Sequence, residues 1–321
     1  MPAPDNAVQS LALLARLGHK IDVALAANSS SRRIFMVGDS LMRQLFIAAA
    51  CATQTVTTEA RVDWQPSWPC HGTKNCVGGG VHGGFNFGSL RFASGAEMHF
   101  KPHGGCISHH DLASYGPSDA VYELGILDRL LGEAEAGGTN RTVFLSKHLA
   151  LPVPESRRAL TRDDVILFSL GIHDEWKDGQ PPSAATRDRL AKLARLGAIL
   201  VENHNTTPLL VVVTSPTQHF SQSGLHTDRF SGSDRCLASA ARNTRRDAER
   251  AVLQEGRHAH LILDYDDLGL GDLHVGAGDC SHFCMPGLPD ILVERLFQGL
   301  ASLTPATTTT NTTTSATRPT P

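Results

Sequence analysis

The 321-residue sequence predicts an α/β fold whose sheet is mainly parallel and is covered by helices on both faces. Three segments, at 34–37, 164–170 and 208–214, contain continuous apolar runs instead of alternating ones. Strands that are buried on both faces have this pattern. Amphipathic helical segments separate the runs, which is the order of elements in α/β domains. A hydrophobic fraction of 41% and a charged fraction of 19% are those of a soluble globular protein.

The first part of the chain predicts a short buried strand followed directly by a helix. Gly38 and Asp39 break the apolar run of the strand, and the residues after them are apolar at helical spacing. Further on, Ser94-Gly95 separates two short β-type runs and predicts a hairpin turn. In order, we predict a strand at 34–37, a helix at 41–51, a strand at 53–62, hairpin strands at 89–93 and 97–101, and a helix at 118–136.

The second part of the chain alternates strands and helices. Its clearest helix places leucine, alanine and valine residues on one face at helical spacing, and its clearest strands are rich in valine, isoleucine and leucine. In order, we predict a strand at 164–170, a helix at 183–204, a strand at 208–214, a helix at 236–255, a strand at 260–264, and a helix at 288–300.

An irregular excursion at 63–88 interrupts this pattern. It contains Trp64, Trp68 and several glycines, and it is too long to be a simple connection. Long irregular segments in compact domains are often binding loops. Cys70 and Cys76 are close enough in the chain to clip this loop.

The chain divides into three regions. Residues 1–29 contain only a short amphipathic run, and residues 30–302 carry all the predicted strands and helices. Residues 303–321 consist almost entirely of Thr, Pro, Ala and Ser, so they cannot bury a core, and we expect them to be disordered. A net charge of −3 gives no reason to expect nucleic acid or an anionic membrane as a partner.

Cysteine usage and glycosylation sequons favour a secretory compartment, the Golgi lumen or the cell exterior. The chain has seven cysteines, no CxxC pair and therefore no structural zinc pattern. No signal peptide or membrane span is recognisable near the start, so a fragment of a longer product and a cytosolic protein both stay open. Four Asn-x-Ser/Thr sequons occur, at Asn28, Asn140, Asn205 and Asn311.

Candidate site residues follow the predicted parallel strands. Ser40 stands at a strand-to-helix turn, where the free N–H groups of a helix point outward. The segments 171–174 and 215–220 follow two further strands, and the carboxyl ends of parallel strands share one edge of the sheet. Ser40 is therefore a candidate nucleophile. The alternative is that it simply caps the helix, as serine often does.

Near the other end of the chain, Asp279 and His282 stand three residues apart, just before the last helix. At this spacing a carboxylate can bind one imidazole nitrogen and leave the other for a hydroxyl. The pattern predicts Ser40 as nucleophile, His282 as general base and Asp279 as the residue that orients the imidazole. The alternative is a loop aspartate beside a solvated histidine.

These blocks carry a family resemblance. The block Gly38-Asp-Ser-Leu-Met-Arg43 and the run Asp279-Cys-Ser-His-Phe-Cys-Met-Pro-Gly-Leu-Pro-Asp290 together resemble the trichome-birefringence-like group in the PC-esterase branch of the SGNH (GDSL) hydrolases. A third block, Thr214-Ser-Pro-Thr-Gln-His-Phe220, is also similar, and the resemblance spans 33–300. It implies a flavodoxin-like three-layer α/β/α sandwich and transfer of O-acyl groups, mostly O-acetyl, to or from sugar hydroxyls.

The resemblance also implies roles for residues around the nucleophile. Arg43 and the N–H group of Ser40 would hold the oxyanion, with Gly38 and Asp39 part of the same oxyanion and substrate-binding block. Many SGNH hydrolases have an asparagine donor in a G-x-N-D block. Here the block reads Gly171-Ile-His-Asp174, so His173 becomes either an oxyanion donor or sugar contact, or a structural residue.

Four further side chains are candidates for glycan contact: Trp64, Trp68, Gln218 and His219. Two tryptophans in a Gly/Pro-rich loop fit the rim of a sugar groove, with ordinary packing as the alternative. The resemblance further implies that Cys236, Cys280 and Cys284 are in disulfides.

The motifs predict a serine-dependent enzyme, and the resemblance implies that it is an O-acyltransferase acting on a polysaccharide or glycan. The sequence predicts no cofactor and no metal, with an acyl donor such as acetyl-CoA or an acetylated carrier as co-substrate. An esterase with the same triad, which passes the acyl group to water, is one alternative. A non-catalytic glycan-binding module on the same scaffold is another. The oligomeric state stays open.

Overall fold

The computed structural model describes residues 32–62, 88–102, 126–136, 160–170, 181–216, 244–265, 274–276, 279–283 and 287–303. The predicted loop at 63–88, apart from Gly88, and the terminal segments 1–29 and 304–321 lie outside these residues. The strands and helices, in chain order, are β1 (Arg33–Gly38), α1 (Ser40–Thr53), β2 (Thr57–Val62), β3 (Gly88–Phe92), β4 (Glu97–Pro102), α2 (Ile126–Ala136), β5 (Val165–Phe168), α3 (Ala184–Glu202), β6 (Leu209–Val213), α4 (Thr244–Glu255), β7 (Leu261–Leu263), β8 (His274–Gly276), β9 (Asp279–Phe283) and α5 (Leu288–Leu303).

The predicted mainly parallel sheet is confirmed. Seven strands of the described residues form one sheet in the order β2-β3-β4-β1-β5-β6-β7. Four of its six strand pairings are parallel, and only the pairings of β3 with β2 and β4 are antiparallel. After β1 the chain forms the edge strand β2, returns through β3 to β4 beside β1, and then adds β5, β6 and β7 on the other side of β1. The direction of winding therefore reverses beside β1.

Helices cover both faces of this sheet. Alternate side chains of each central strand point to opposite faces, so Ile34 and Phe35 belong to two different apolar clusters. The first cluster packs the sheet against α1 and α5, and the second packs it against α2, α3 and α4. This arrangement is consistent with a three-layer α/β sandwich.

A buried ion pair fixes β1 against β5 at their amino ends. Arg33 Nη2 lies 2.6 Å from Asp164 Oδ2, and Arg33 Nε donates to Asp164 Oδ1 at 3.0 Å. The backbone N–H of Arg33 also donates to Asp164 Oδ1, at 3.1 Å. Both side chains are almost fully buried. These bonds hold the register in which Ile34 pairs with Val165, and so they align the opposite ends of the two strands.

One predicted element needs correction at its start. The strand expected at 53–62 begins only at Thr57, because Thr53 ends α1 and its Oγ1 donates to the carbonyl of Ala49 at 2.7 Å. The helices expected at 118–136 and 236–255 are present at 126–136 and 244–255, and their predicted first turns lie outside the described residues. The hairpin is confirmed, with Gly95 at φ 84° in its turn, a backbone conformation that favours glycine.

The strand pair β8–β9 was not predicted. Residues 279–283 were expected in a loop, whereas the structure pairs them antiparallel with 274–276. Gly276 pairs with Asp279 and His274 pairs with Phe283. Between these two pairs the chain advances four residues in β9 but only two in β8. Such a bulge interrupts the strict two-residue alternation of a strand. The motif carrying Asp279 and His282 is therefore an irregular strand.

Candidate active site

The amino end of α1 follows β1 through a tight turn. A Cβ atom on Gly38 would lie 2.7 Å from Cβ of Met42 and 3.3 Å from Cβ of Ser169. The absence of a side chain at Gly38 therefore allows the helix to begin directly above the strand. It also lets the end of β5 approach, because the Ser169 N–H donates to the carbonyl of Val37 at 3.0 Å.

Asp39 caps this helix. Its side chain is buried, and its Oδ1 accepts the N–H of Leu41 at 3.0 Å. Its carbonyl accepts the N–H of Arg43 at 3.0 Å, which is the first bond of the helical ladder. Asp39 is thus the helix cap, the role that the alternative interpretation gave to Ser40. Ser40 is the first helical residue and is not the cap.

The Ser40 hydroxyl is shielded from solvent, and its Oγ has no hydrogen-bond partner among the described residues. Native proteins usually satisfy buried polar atoms, because leaving one without a partner costs about 1–3 kcal/mol. A hydroxyl without a hydrogen-bond partner, next to the end of a central strand, is available to a substrate or to a catalytic base. Arg43 lies three residues further on, on the same side of the helix, and is half-buried.

The predicted common edge of the sheet is confirmed for the described residues. β1, β5 and β6 are parallel neighbours, so Ser40, Ser169 and Ser215 follow the same ends of three adjacent strands. His173 belongs to the segment 171–174, which begins directly after Leu170, the last described residue following β5. His173, Gln218, His219, Trp64 and Trp68 themselves lie outside the described residues.

β9, the strand that contains Asp279 and His282, is bonded to α1, the helix that begins at Ser40. The Gln44 side chain is fully buried and binds the backbone of Phe283 twice. Its Nε2 donates to the Phe283 carbonyl at 2.8 Å, and its Oε1 accepts the Phe283 N–H at 3.1 Å. Gln44 is one helical turn after Ser40, and Phe283 directly follows His282. The side chains of Asp279 and His282 lie outside the described part, so their pairing stays a prediction.

Tyr265 makes a second connection between β9 and the start of α1. Its ring stacks on that of Phe283, with centroids 5.5 Å apart and planes at 16°. Its hydroxyl donates to the carbonyl of Leu41 at 3.4 Å. Burial, and secondarily the negative charge of Asp39, raise the pKa of Tyr265 above its ordinary value. The phenol therefore remains a neutral donor.

A buried carboxyl group lies at the end of β6. Glu249 of α4 accepts the Ser215 N–H at 2.6 Å and the Ser215 hydroxyl at 2.8 Å. Burial raises the pKa of Glu249 to about 7, although the bonds from Ser215 and the charge of Arg245 lower it. The sequence did not indicate this residue, since the highly charged helix 244–255 is typical of a surface segment. Its only signal is its position two turns before the end of the helix, on the side of the buried Leu253.

Cys51 in α1 is disulfide-bonded, and its partner lies outside the described side chains. Cys70, Cys76, Cys236 and Cys284 are themselves outside the described residues, as is the side chain of Cys280. Within the described ranges, no group of three His, Cys, Asp or Glu side chains is placed to hold a metal ion.

Comparisons of this chain with family models, with curated proteins and with solved structures find no match. None of the helices that the structure describes has the length and apolar character needed to cross a membrane.

Proposed function

We propose that this chain is a serine-dependent O-acyltransferase of the SGNH type, which transfers an acetyl group to a hydroxyl of a polysaccharide or glycan. One observation carries the proposal. The Ser40 hydroxyl is not used as a helix cap, and Gln44 of the same helix binds the strand that contains Asp279 and His282. The proposal therefore rests on two motifs, far apart in sequence, that are connected through one helix.

The strand order supports the flavodoxin-like part of the proposal. Numbered along the chain, the five parallel strands β1, β4, β5, β6 and β7 lie in the spatial order 2-1-3-4-5. Doubly wound sheets with this order bind ligands at the carboxyl edge, where the winding reverses. That reversal lies between β1 and β5, and Ser40 follows the first of these strands.

The chemistry proceeds in two steps. Ser40 Oγ attacks the carbonyl carbon of the acyl donor while His282 accepts the hydroxyl proton, and Asp279 orients the imidazolium. The N–H group of Ser40, the Arg43 guanidinium and His173 stabilise the oxyanion. The intermediate collapses to the acyl-serine, and His282 protonates the leaving group. A sugar hydroxyl then gives its proton to His282 and attacks the acyl-serine, and His282 returns this proton to Ser40 Oγ as the new ester forms.

Two described features support a secretory location, in the Golgi lumen or outside the cell. Disulfides such as that of Cys51 persist mainly in oxidising compartments. The sequon residue Asn205 lies on an exposed turn after α3, where a glycan can be attached. In this setting the acceptor is a glycan, and the acyl donor is acetyl-CoA or an acetylated carrier.

The experiment that tests the proposal labels the protein with a fluorophosphonate and follows acyl transfer. Wild type should label at Ser40, and after incubation with an acetyl donor it should show acetyl-Ser40 by peptide mass spectrometry. Ser40→Ala should abolish both signals and reduce turnover by at least about 10³-fold. Ser302→Ala, which changes an exposed serine of α5, is the matched control and should behave as wild type.

The remaining outcomes separate the alternatives. Acetate release that does not depend on a glycan acceptor would replace the transferase by an esterase with the same triad. A protein that binds glycans but neither labels at Ser40 nor turns over a donor would be a binding module, and the enzymatic proposal would then be wrong.

A further inference from the structure

Gln44 holds a strand in place in the way that a neighbouring strand would. Its amide donates one bond to Phe283 and accepts another, at 2.8 and 3.1 Å, and thereby satisfies both backbone polar groups of that residue. The Gln44 side chain is 0% exposed and lies within an otherwise apolar helix face. A leucine would fill a similar volume, so apolar packing alone does not require an amide at this position.

The location of these two bonds relates them to the candidate site. Gln44 is four residues after Ser40, which is one turn of α1 and a rise of about 6 Å. Phe283 directly follows His282 along β9, and consecutive Cα atoms are about 3.8 Å apart. The amide therefore connects the helix that carries the nucleophile to the strand that carries the predicted base. We propose that Gln44 is a positioning residue that sets the distance between Ser40 and His282, an inference that rests on the proposed function.

Tyr265 makes the connection rigid. It stacks on the Phe283 ring and binds the Leu41 carbonyl, so β9 is fixed to α1 both at its backbone and at its side chain. Two contacts at separate points resist rotation of the strand as well as translation. This matters because a displacement of about 1 Å between reacting groups can reduce a rate by about 10²-fold.

Two substitutions separate positioning from simple stabilisation. Gln44→Leu removes both bonds between this side chain and the backbone of Phe283. Gln44→Glu replaces the amide by a carboxyl group of the same shape. The protonated acid can donate to the carbonyl and accept from the N–H as glutamine does, whereas the carboxylate has no proton to donate. The matched control is Thr53→Val, which removes a buried bond to Ala49 at the far end of the same helix.

The experiment measures the rate of fluorophosphonate labelling of Ser40, and kcat and KM with an acetyl donor, in folded full-length protein. Gln44→Leu should reduce labelling and kcat by about 10- to 100-fold with KM nearly unchanged, while Thr53→Val stays within about 3-fold of wild type. The labelling rate of Gln44→Glu relative to wild type should fall as the pH rises and the new carboxyl group ionises. Near-ultraviolet circular dichroism checks that each variant is folded.

The outcomes are distinct. If wild type labels but Gln44→Leu labels as fast as Thr53→Val, Gln44 does not position the site. If Gln44→Leu does not fold, Gln44→Glu decides, and a rate relative to wild type that is constant with pH overturns the inference. If wild type itself neither labels nor turns over a donor, the proposed function fails, and the inference fails with it.

Discussion

The Glu249 carboxyl group accepts two hydrogen bonds from a single residue, the N–H and the hydroxyl of Ser215. The pair joins α4 to the residue that follows β6, at the edge of the sheet where the candidate site lies. Arg245 and Asp264 also act on the carboxyl group, and Arg250 pairs with Asp264 at 3.0 Å. Because the Ser215 hydroxyl can rotate to donate or to accept, the pair can remain bonded in both protonation states of Glu249.

The raised pKa of Glu249 predicts that the free energy of unfolding decreases as the pH rises towards neutral. Burial raises the pKa of Glu249 from 4.5 to about 7, so the folded state binds the proton more tightly than the unfolded state. The resulting stabilisation is full below about pH 4.5 and is lost as the pH rises through 7. At about 1.4 kcal/mol for each tenfold change in proton affinity, the loss is on the order of 3 kcal/mol.

Glu249→Gln should remove this dependence, since glutamine is neutral and can keep both bonds to Ser215. Urea unfolding from pH 4.5 to 8 would measure it, with Glu255→Gln as the control on an exposed residue of the same helix. The free energy of unfolding of wild type should fall relative to that of Glu249→Gln across this range. Parallel curves for the two proteins would show that Glu249 does not titrate there.

The capping of α1 by Asp39 predicts a second, smaller effect. Asp39→Ala removes the acceptor for the Leu41 N–H and should lower the free energy of unfolding by about 1 kcal/mol. Asp39→Asn keeps an acceptor oxygen in the same place and should recover most of this loss. Thermal unfolding at constant pH compares the three proteins. Equal stability of Asp39→Ala and wild type would contradict the capping role.

The buried pair of Arg33 and Asp164 predicts the largest loss of stability. Asp164→Ala leaves a buried guanidinium without its carboxylate and should cost about 3–5 kcal/mol. Asp163→Ala changes the adjacent residue, whose carboxylate is 41% exposed, and should cost less than about 1 kcal/mol. Denaturant unfolding of both variants measures the difference. Comparable losses would show that burial does not determine the contribution of this pair.

The sequence could predict the sheet because its strands are buried on both faces. The runs in β1, β5 and β6 are apolar throughout, a pattern that few surface segments share. The ends of the strands and helices were harder to predict, because an apolar run does not show at which residue an element begins or ends. Thr53 has strand propensity, but its hydroxyl donates to the carbonyl of Ala49 at the end of α1. The alternation of apolar and polar residues does not reveal such a bond.

The site was less predictable because its key contacts are distant in sequence. Gln44 and Phe283 are separated by 239 residues, and no local pattern shows that a glutamine will bind a strand so far away. The one available signal was a lone amide on the apolar face of α1. β9 was missed because its residues are typical of a loop, and the strand with which it pairs among the described residues has only three residues. Glu249 was missed because α4 is rich in charged residues, and little in its sequence distinguishes the buried glutamate from the exposed ones.

The separation between Gln44 and Phe283 also has a consequence for biosynthesis. A chain is made from its amino end, so Ser40 and the strands of the seven-stranded sheet leave the ribosome before Phe283 does. Until then the Gln44 amide cannot make either bond to β9, and the predicted base has not been synthesised. The proposed nucleophile, Ser40, is thus present from an early stage, whereas the proposed chemistry can begin only after β9 has emerged.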